Sequence, residues 1–155
     1  MSSVEEALLE AARLEADDDV LVLGGEALAL RAVALIRGGW VYVVRRDVDE
    51  LEELLGKAHA VGAPGVAYLV GEAPVLPLPD DAVAAAVGRV PSDGGASAAV
   101  ATELARVLSA GGRVALAEPG QTAGDAAATA LESAGFGDVA LANVEDEVVV
   151  SGTRR

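Results

Sequence analysis

Three short stretches, each following an apolar or β-branched run, carry the residues best suited to bind a ligand. The first is Gly24-Gly25-Glu26, which follows the apolar run Val20–Leu23. Glycines at such a turn let the backbone come close to a bound molecule, because no Cβ intervenes. The second is Arg45, at the end of an aromatic and β-branched run, and the third is Gly71-Glu72-Ala73, after Val66–Val70. We predict that these stretches border one ligand crevice.

The sequence also excludes several kinds of catalytic site. It has no cysteine, which excludes disulfides, cysteine-bound zinc, iron–sulfur clusters and a thiol nucleophile. Its single histidine, His59, excludes a multi-histidine metal site, and we expect this residue at the surface or packed against a neighbour, away from the crevice. The sequence therefore assigns neither a catalytic residue nor a metal ligand.

The charge of the chain narrows the choice of ligand further. Its 155 residues include 25 acidic and 11 basic ones, for a net charge of −14 with the histidine neutral. A nucleic-acid binder needs a basic face, and an anionic membrane repels an acidic surface. No apolar run reaches the roughly 18 residues that cross a bilayer, and the first charged residues are acidic. We expect a cytoplasmic protein that binds neither nucleic acid nor membranes.

The elements that position these stretches follow from the hydrophobic pattern. The length fits one domain, residues 1–155, and the low aromatic content of 3% predicts a core of Ala, Val and Leu. Strands and helices alternate along the chain, which predicts a doubly wound α/β sheet. The predicted helices are 4–15, 26–37, a segment with Leu51, Leu54, Leu55 and Ala58, 100–108 (stopped by Gly111-Gly112) and 122–134; the predicted strands are Val20–Leu23, 40–44, Val66–Val70, 82–90, 113–117, 139–142 and 148–151.

Several local strings occur in an order that resembles class I S-adenosylmethionine-dependent methyltransferases. Residues 20–26 look like the first glycine motif of that family, and residues 71–80, with the sequence Gly-Glu-Ala-Pro-Val-Leu-Pro-Leu-Pro-Asp, are similar to its third-strand loop. Residues 103–113 look like the stretch that leads into strand five. Glu118-Pro119 follows that strand, and Ala134-Gly135-Phe136 resembles the turn before strand six. The resemblance spans nearly the whole chain.

The resemblance implies a specific architecture. It is a seven-stranded, mostly parallel sheet in the order 3-2-1-4-5-7-6, with strand seven antiparallel and helices on both faces. The ligand crevice then lies at the carboxyl ends of strands one to four, where open α/β sheets bind ligands. The implied cofactor is S-adenosylmethionine. Val20–Leu23 should be central and buried, together with Val83, Val87 and Val114.

The cofactor motif departs from the family pattern at the first strand. After that strand the family carries Gly-x-Gly-x-Gly, but here only Gly24 is kept, and Glu26 and Leu28 stand at the next two glycine positions. We expect Leu28 to crowd the loop and Glu26 to add a charge beside the amino-acid end of the cofactor. At the third strand the pattern is closer. Glu72 stands where the family's Asp contacts the adenine amino group, and Gly71 and Ala73 leave room for a ring.

The departure from the family pattern at the second strand affects cofactor binding more than the changes at the first strand do. The family ends that strand in an Asp or Glu that accepts hydrogen bonds from the ribose hydroxyls, and this chain has Arg45. Arginine has only donors and cannot replace a carboxylate. An alignment shifted by two residues would offer Asp47, which suits a helix cap better. Arg45 and Arg46 could instead form a solvated strand end or an anion site.

Three functions stay open on the sequence alone. The first is an enzyme of this family with a degenerate cofactor loop that acts on a small molecule or a protein. The second is a non-catalytic methyltransferase-like partner module, favoured by the missing glycines, the missing ribose acid and the absence of a substrate lid. The third is a nucleotide or NADP-type binder, with Arg45 and Arg46 on a 2′-phosphate. A homo-oligomer is compatible with all three, and S-adenosylmethionine should bind weakly or not at all.

Overall fold

A seven-stranded sheet forms the centre of the molecule. The computed structural model describes residues 3–24, 26–45, 65–71, 75–90 and 98–155. The described helices are α1 (Ser3–Ala11), α2 (Glu26–Leu35), α3 (Ala98–Val107) and α4 (Gln121–Ser133). The strands are β1 (Val20–Leu23), β2 (Val41–Arg45), β3 (Val66–Val70), β4 (Val83–Gly88), β5 (Leu108–Glu118), β6 (Phe136–Val144) and β7 (Glu147–Arg154).

The strand order confirms the predicted topology. The strands lie in the order β3-β2-β1-β4-β5-β7-β6. The first five in this order are parallel to their neighbours, and β7 runs antiparallel between β5 and β6. The order reverses between β1 and β4, because β2 and β3 continue to one side of β1 and all later strands lie on the other. This reversal point is where α/β sheets open a crevice.

Strand β1 is buried on both faces, which explains its uninterrupted apolar sequence. Val20 and Val22 pack in the cluster beneath α1 and α2, whereas Leu21 and Leu23 pack in the cluster beneath α3 and α4. All four are at most 2% exposed. The other positions expected in the core, Val83, Val87 and Val114, are buried as predicted.

Two predicted boundaries were wrong by about four residues or more, and the first lies between α3 and β5. The helix was expected to stop at Gly111-Gly112, but it ends at Val107 and the strand begins at the next residue. The glycines lie inside β5, where the pairing with β4 jumps by several residues. Gly111 has a φ of +80°, and a Cβ on Gly112 would lie 2.7 Å from the carbonyl oxygen of Ser109. The glycines therefore form a bulge rather than a helix stop.

The second wrong boundary is the end of α1, which was expected at residue 15 and lies at Ala11. Arg13 adopts a left-handed φ of +50°. The Arg113 guanidinium donates hydrogen bonds of 2.9 Å to the carbonyl oxygens of Ala12 and Arg13, and one of 2.6 Å to Asp18. A side chain from β5 thus satisfies carbonyls left open by the end of the helix.

Some of the predictions from the sequence concern residues 46–64, which the structure does not describe. The predicted helix with Leu51 and Ala58, and His59 beyond it, lie outside the described residues. Within the part that is described, no helix has the length and apolar character needed to cross a bilayer.

The carboxyl ends of β1 and β4 are in backbone contact through Gly88. Its φ is +139°, and a Cβ at this position would overlap the carbonyl oxygen of Leu23. The next amide, that of Arg89, donates a hydrogen bond of 3.1 Å to the same oxygen. Only glycine fits here, both for its conformation and for the space available.

We therefore predict that Gly88→Ala lowers the free energy of unfolding by about 3 kcal/mol or more, because it adds both strain and overlap. Urea denaturation followed by circular dichroism measures the change. The control is Gly120→Ala, since Gly120 has an extended φ of 171° and no atom near its would-be Cβ. Equal midpoints for the two variants would contradict the prediction.

The loop between β3 and β4 is fastened to α3 by a bidentate ion pair. Arg106 donates hydrogen bonds of 2.6 and 2.9 Å to the two carboxylate oxygens of Glu103. Glu103 also accepts the Leu76 amide at 2.6 Å, while Arg106 donates to the Leu76 carbonyl at 3.2 Å and to Asp80 at 2.9 Å. The pair thus holds both the N–H and the C=O of Leu76. The hydrogen bonds from Arg106, followed by that from the Leu76 amide, lower the pKa of Glu103 although partial burial opposes them.

This lowered pKa predicts a dependence of stability on pH. A carboxyl group whose pKa is lower in the folded state stabilises the fold fully above its unfolded pKa, about 4.3. That contribution is lost as the pH falls through the folded value. We expect Glu103→Gln to lower the melting temperature at pH 7. The difference in melting temperature between the variant and wild type should shrink as the pH falls below about 4.3. Differential scanning calorimetry between pH 7 and pH 3 measures both effects.

The matched control for this experiment is Glu132→Gln, which removes one carboxylate from an exposed position of α4. It should leave the melting temperature close to that of wild type at every pH. If the difference in melting temperature between wild type and Glu103→Gln stays constant on acidification, the stabilising role of ionised Glu103 is contradicted.

Candidate functional site

The predicted ligand stretches meet at one edge of the sheet. Leu23 pairs with Val44 on β2 and with Gly88 on β4, and Arg45 pairs with Val70 on β3. The residues that follow these pairs lie at the same level: Gly24 after β1, Arg45 ending β2, Gly71 after β3 and Arg89 after β4. The fold thus brings Gly24, Arg45 and Gly71 together at the carboxyl edge, on either side of the reversal point.

Gly24 supplies the turn that the first glycine motif requires. Its φ is +75°, a conformation that side chains disfavour. A Cβ at this position would lie 3.0 Å from the carbonyl oxygen of Arg89 and 3.2 Å from its Cβ. The backbone at the ends of β1 and β4 is therefore closely packed at this point, without a side chain at Gly24 in between.

Helix α2 begins at Glu26, directly beyond this turn. Its first amides and the positive end of its dipole therefore lie at the crevice, and an acidic residue in the first turn stabilises the helix. The expectation that Leu28 crowds the cofactor loop was wrong. Leu28 is fully buried and packs in the apolar cluster that also holds Val4, Leu8 and Val22. At this position the helix faces the core, so the leucine belongs to the packing of α1 and α2 against the sheet.

The β3 side of the crevice is defined by Gly71. A Cβ there would lie 2.9 Å from Cδ of Pro77 and 3.7 Å from a methyl group of Val44. The glycine thus lets the loop after β3 fold back over the end of β2. The expected site residues Gly25, Glu72 and Ala73, and the alternative Asp47, lie outside the described residues.

An arginine that the sequence analysis did not select crosses the other side of the edge. Arg89 donates hydrogen bonds of 2.9 and 2.7 Å to the two carboxylate oxygens of Glu147, at the start of β7. Its guanidinium also lies 3.7 Å from Glu5 of α1. The hydrogen bonds to Glu147 raise the pKa of Arg89, with Glu5 adding to the effect. The side chain therefore stays charged and ties β4 to β7 and α1, across the end of β5.

No local signal could have revealed this bridge, because Arg89 and Glu147 are 58 positions apart. Glu118, which ends β5 at the same edge, is 2% exposed, and Glu5 is 8% exposed. Carboxylates thus outnumber the arginine at this end of the crevice. Among the described residues, no group of three or more histidine or acidic side chains could hold a metal ion.

Comparison with known proteins identifies the fold but gives no sequence relative. No family model matches the chain, and no curated protein matches it in sequence. Among solved structures, it is similar to an S-adenosylmethionine-dependent methyltransferase from Aquifex aeolicus, with a TM-score of 0.78 and 19% identity. The match covers 97% of this chain and 89% of the other. A putative methyltransferase from Bacillus halodurans superposes with a TM-score of 0.79 and 15% identity over 99% of both chains.

A third similar structure is a putative methyltransferase in complex with the Trm112 methyltransferase activator of Haloferax volcanii. It has a TM-score of 0.72 and 16% identity, and the match covers 97% of this chain and 92% of the other. At these identities the comparisons show the fold alone. Together with the strand order and the position of Gly24, they establish that the chain has the class I S-adenosylmethionine-dependent methyltransferase fold.

Proposed function

We propose that this chain is a methyltransferase-type domain that holds S-adenosylmethionine weakly in the crevice between Gly24, Arg45 and Gly71. The observation that carries the proposal is the left-handed turn at Gly24, packed against the backbone of Arg89 at the reversal point of the sheet. A side chain at Gly24 would fill the cradle in which the methionine end of such a cofactor lies. The fold, shared with S-adenosylmethionine-dependent enzymes, supports the same ligand class.

The residues present fit one part of this cofactor better than the other. The glycine turn and the start of α2 suit the amino-acid end, because backbone amides there can meet a carboxylate. The ribose end fits poorly, since the carboxyl end of β2 carries Arg45 where the resemblance implies an acceptor. A guanidinium offers donors only, and ribose hydroxyls need an acceptor in that position.

The remaining residues would act by positioning. The cofactor, when bound, supplies an electrophilic methyl group. The Glu103–Arg106 pair would hold the loop of Leu76 over the β3 side of the crevice, so that this wall is ordered before the ligand arrives. Such preorganisation is the main contribution that methyl transfer requires from a protein. The acceptor would be a small molecule or a protein group.

The affinity for the cofactor tests the proposal directly. A polar group left without a partner costs about 1–3 kcal/mol, which weakens binding about tenfold to a hundredfold. We expect calorimetric titrations with S-adenosylmethionine and S-adenosylhomocysteine to show weak binding or none, with any dissociation constant above the low micromolar range. A value in the low micromolar range would contradict the weakened site. A titration with NADP in the same experiment tests the nucleotide-binding alternative.

Restoring the missing contacts should raise the affinity. We expect the double variant Arg45→Asp, Glu26→Gly to show a larger rise in melting temperature with S-adenosylhomocysteine than wild type, because ligand stabilises only the state that binds it. Leu28 is left unchanged, since replacing this core leucine by glycine would cost about 3 kcal/mol or more. Scanning fluorimetry at saturating ligand measures the shift.

The control variant is Arg37→Asp, which repeats the charge reversal of Arg45→Asp at an exposed position after α2. It should leave the ligand-dependent shift unchanged. If the double variant folds but gains no shift, the crevice does not accept the cofactor, and the second candidate function takes its place.

That second candidate is a non-catalytic partner module. The Arg89 bridge to Glu147 and Glu5 favours it, because the bridge crosses the carboxyl edge of the sheet beyond β4 and would restrict access to the crevice from there. One of the similar structures is a methyltransferase bound to an activator protein, so a protein partner is compatible with this fold.

A further inference from the structure

Strand β6 forms one edge of the sheet. It pairs with β7 on one side, and among the described residues no strand lies on its other side. Residues 140–143 are all exposed. An edge strand presents a row of backbone N–H and C=O groups, which another extended chain can pair with.

This edge lacks the features that usually prevent such pairing. Natural edges carry lysine, proline, inward charges or bulges that block a second strand. Residues 139–144 read Val-Ala-Leu-Ala-Asn-Val, with neither a charge nor a proline. The irregular pairing lies upstream, between Gly137 and Ala140, where Asp138 has a φ of +54°. The carboxyl-terminal half of β6 is therefore regular and open.

A groove lies beside this open segment, on the face of the sheet that carries α1. Ala140 and Ala142 form part of its floor, and Ala7 and Ala11 of α1 form its wall. The cavity measures about 370 Å³, near the lower end of the range for ligand pockets of about 300–1,000 Å³. On the opposite face Leu141 lies beside Gly124 of α4. Thus α4 contacts part of one face of β6 and leaves Leu141 exposed, and the other face borders an open groove lined mainly by alanines.

The charges around the groove indicate its occupant. The lining includes one acidic residue, Glu10, and no basic one. Strand β6 also leads directly into the exposed acidic turn at Glu145 and Asp146, while Arg154 and Arg155 lie at the opposite end of the strand. A second copy of this chain would bring another net charge of −14 to the contact, which opposes self-pairing.

We propose that β6 accepts an extended segment of a basic partner protein as an additional strand. Every second side chain of the segment enters the groove between α1 and β6; these side chains are apolar except for one lysine or arginine that faces Glu10. A further lysine or arginine, at the end of the segment beside Val144, lies near the acidic turn. Backbone hydrogen bonds then give affinity, and the groove gives specificity, as in other cases of strand addition. This surface shares no residue with the crevice at Gly24, Arg45 and Gly71.

The proposal can be tested with a display library of random nine-residue peptides selected against the whole chain. Selected sequences should carry apolar residues at every second position, together with Lys or Arg at one of these positions and at one end. A synthetic peptide of the selected consensus is then titrated by calorimetry. Amide chemical shifts should change mainly at residues 139–144 and 149–151. The matched probe is the same peptide with every basic residue replaced by Glu, which should not bind.

Two pairs of variants separate the groove from general charge effects. Ala142→Arg fills the groove and adds a positive charge, and its control, Ala126→Arg, makes the same change at an exposed alanine of α4. We expect Ala142→Arg to weaken the peptide about tenfold or more, and Ala126→Arg to change it less than about twofold. Glu10→Gln should weaken it a few-fold, and Glu132→Gln should not.

Each remaining outcome would overturn the proposal. Failure to enrich any peptide, or enrichment of acidic or neutral peptides, rules out a basic segment. Equal weakening by Ala142→Arg and Ala126→Arg indicates attraction to net charge alone. A dimer in sedimentation equilibrium that Ala142→Arg dissociates shows that the occupant is a second copy of the chain.

Discussion

The contact between the ends of β1 and β4 is the constraint on which the rest of the structure depends. Gly88 brings the backbone of β4 against the Leu23 carbonyl, where no side chain would fit. This contact fixes the height at which Gly24 turns and therefore where α2 begins. It also makes the floor of the crevice out of backbone rather than side chains. The two strands at which the sheet reverses its order are thus held in backbone contact at their carboxyl ends.

Most of the fold could be predicted from the sequence, because its signals are local. The four apolar residues of β1 indicate burial on both faces, and the alternation of strand and helix patterns predicts a parallel sheet. The glycines at 111 and 112 could not be interpreted in this way. Gly-Gly suits both a helix stop and a strand bulge, and only the pairing of β5 with β4 decides between them.

The candidate site could be predicted only in part, for a related reason. Gly24, Arg45 and Gly71 each follow a strand, so their meeting at one edge follows from topology alone. The direction in which Leu28 points depends on how α1 packs over α2, which a glycine motif does not specify. The Arg89 bridge depends on the approach of β7 and α1 to the end of β4. Contacts of this kind become visible only in the folded arrangement.

The contact of Arg113 with the end of α1 has a consequence for the order in which the chain folds. The carbonyls of Ala12 and Arg13 and the Asp18 carboxylate receive this partner from a residue 95 to 101 positions later. At about 5–20 residues per second, a ribosome reaches Arg113 about 5–20 s after Ala12. During synthesis the α1 segment therefore lacks the Arg113 contact at its end, and β1 is synthesised before its pairing partner β4. Strand β1, near the centre of the sheet, is thus synthesised early but pairs with β4 only later. Contacts between residues far apart in the sequence slow folding.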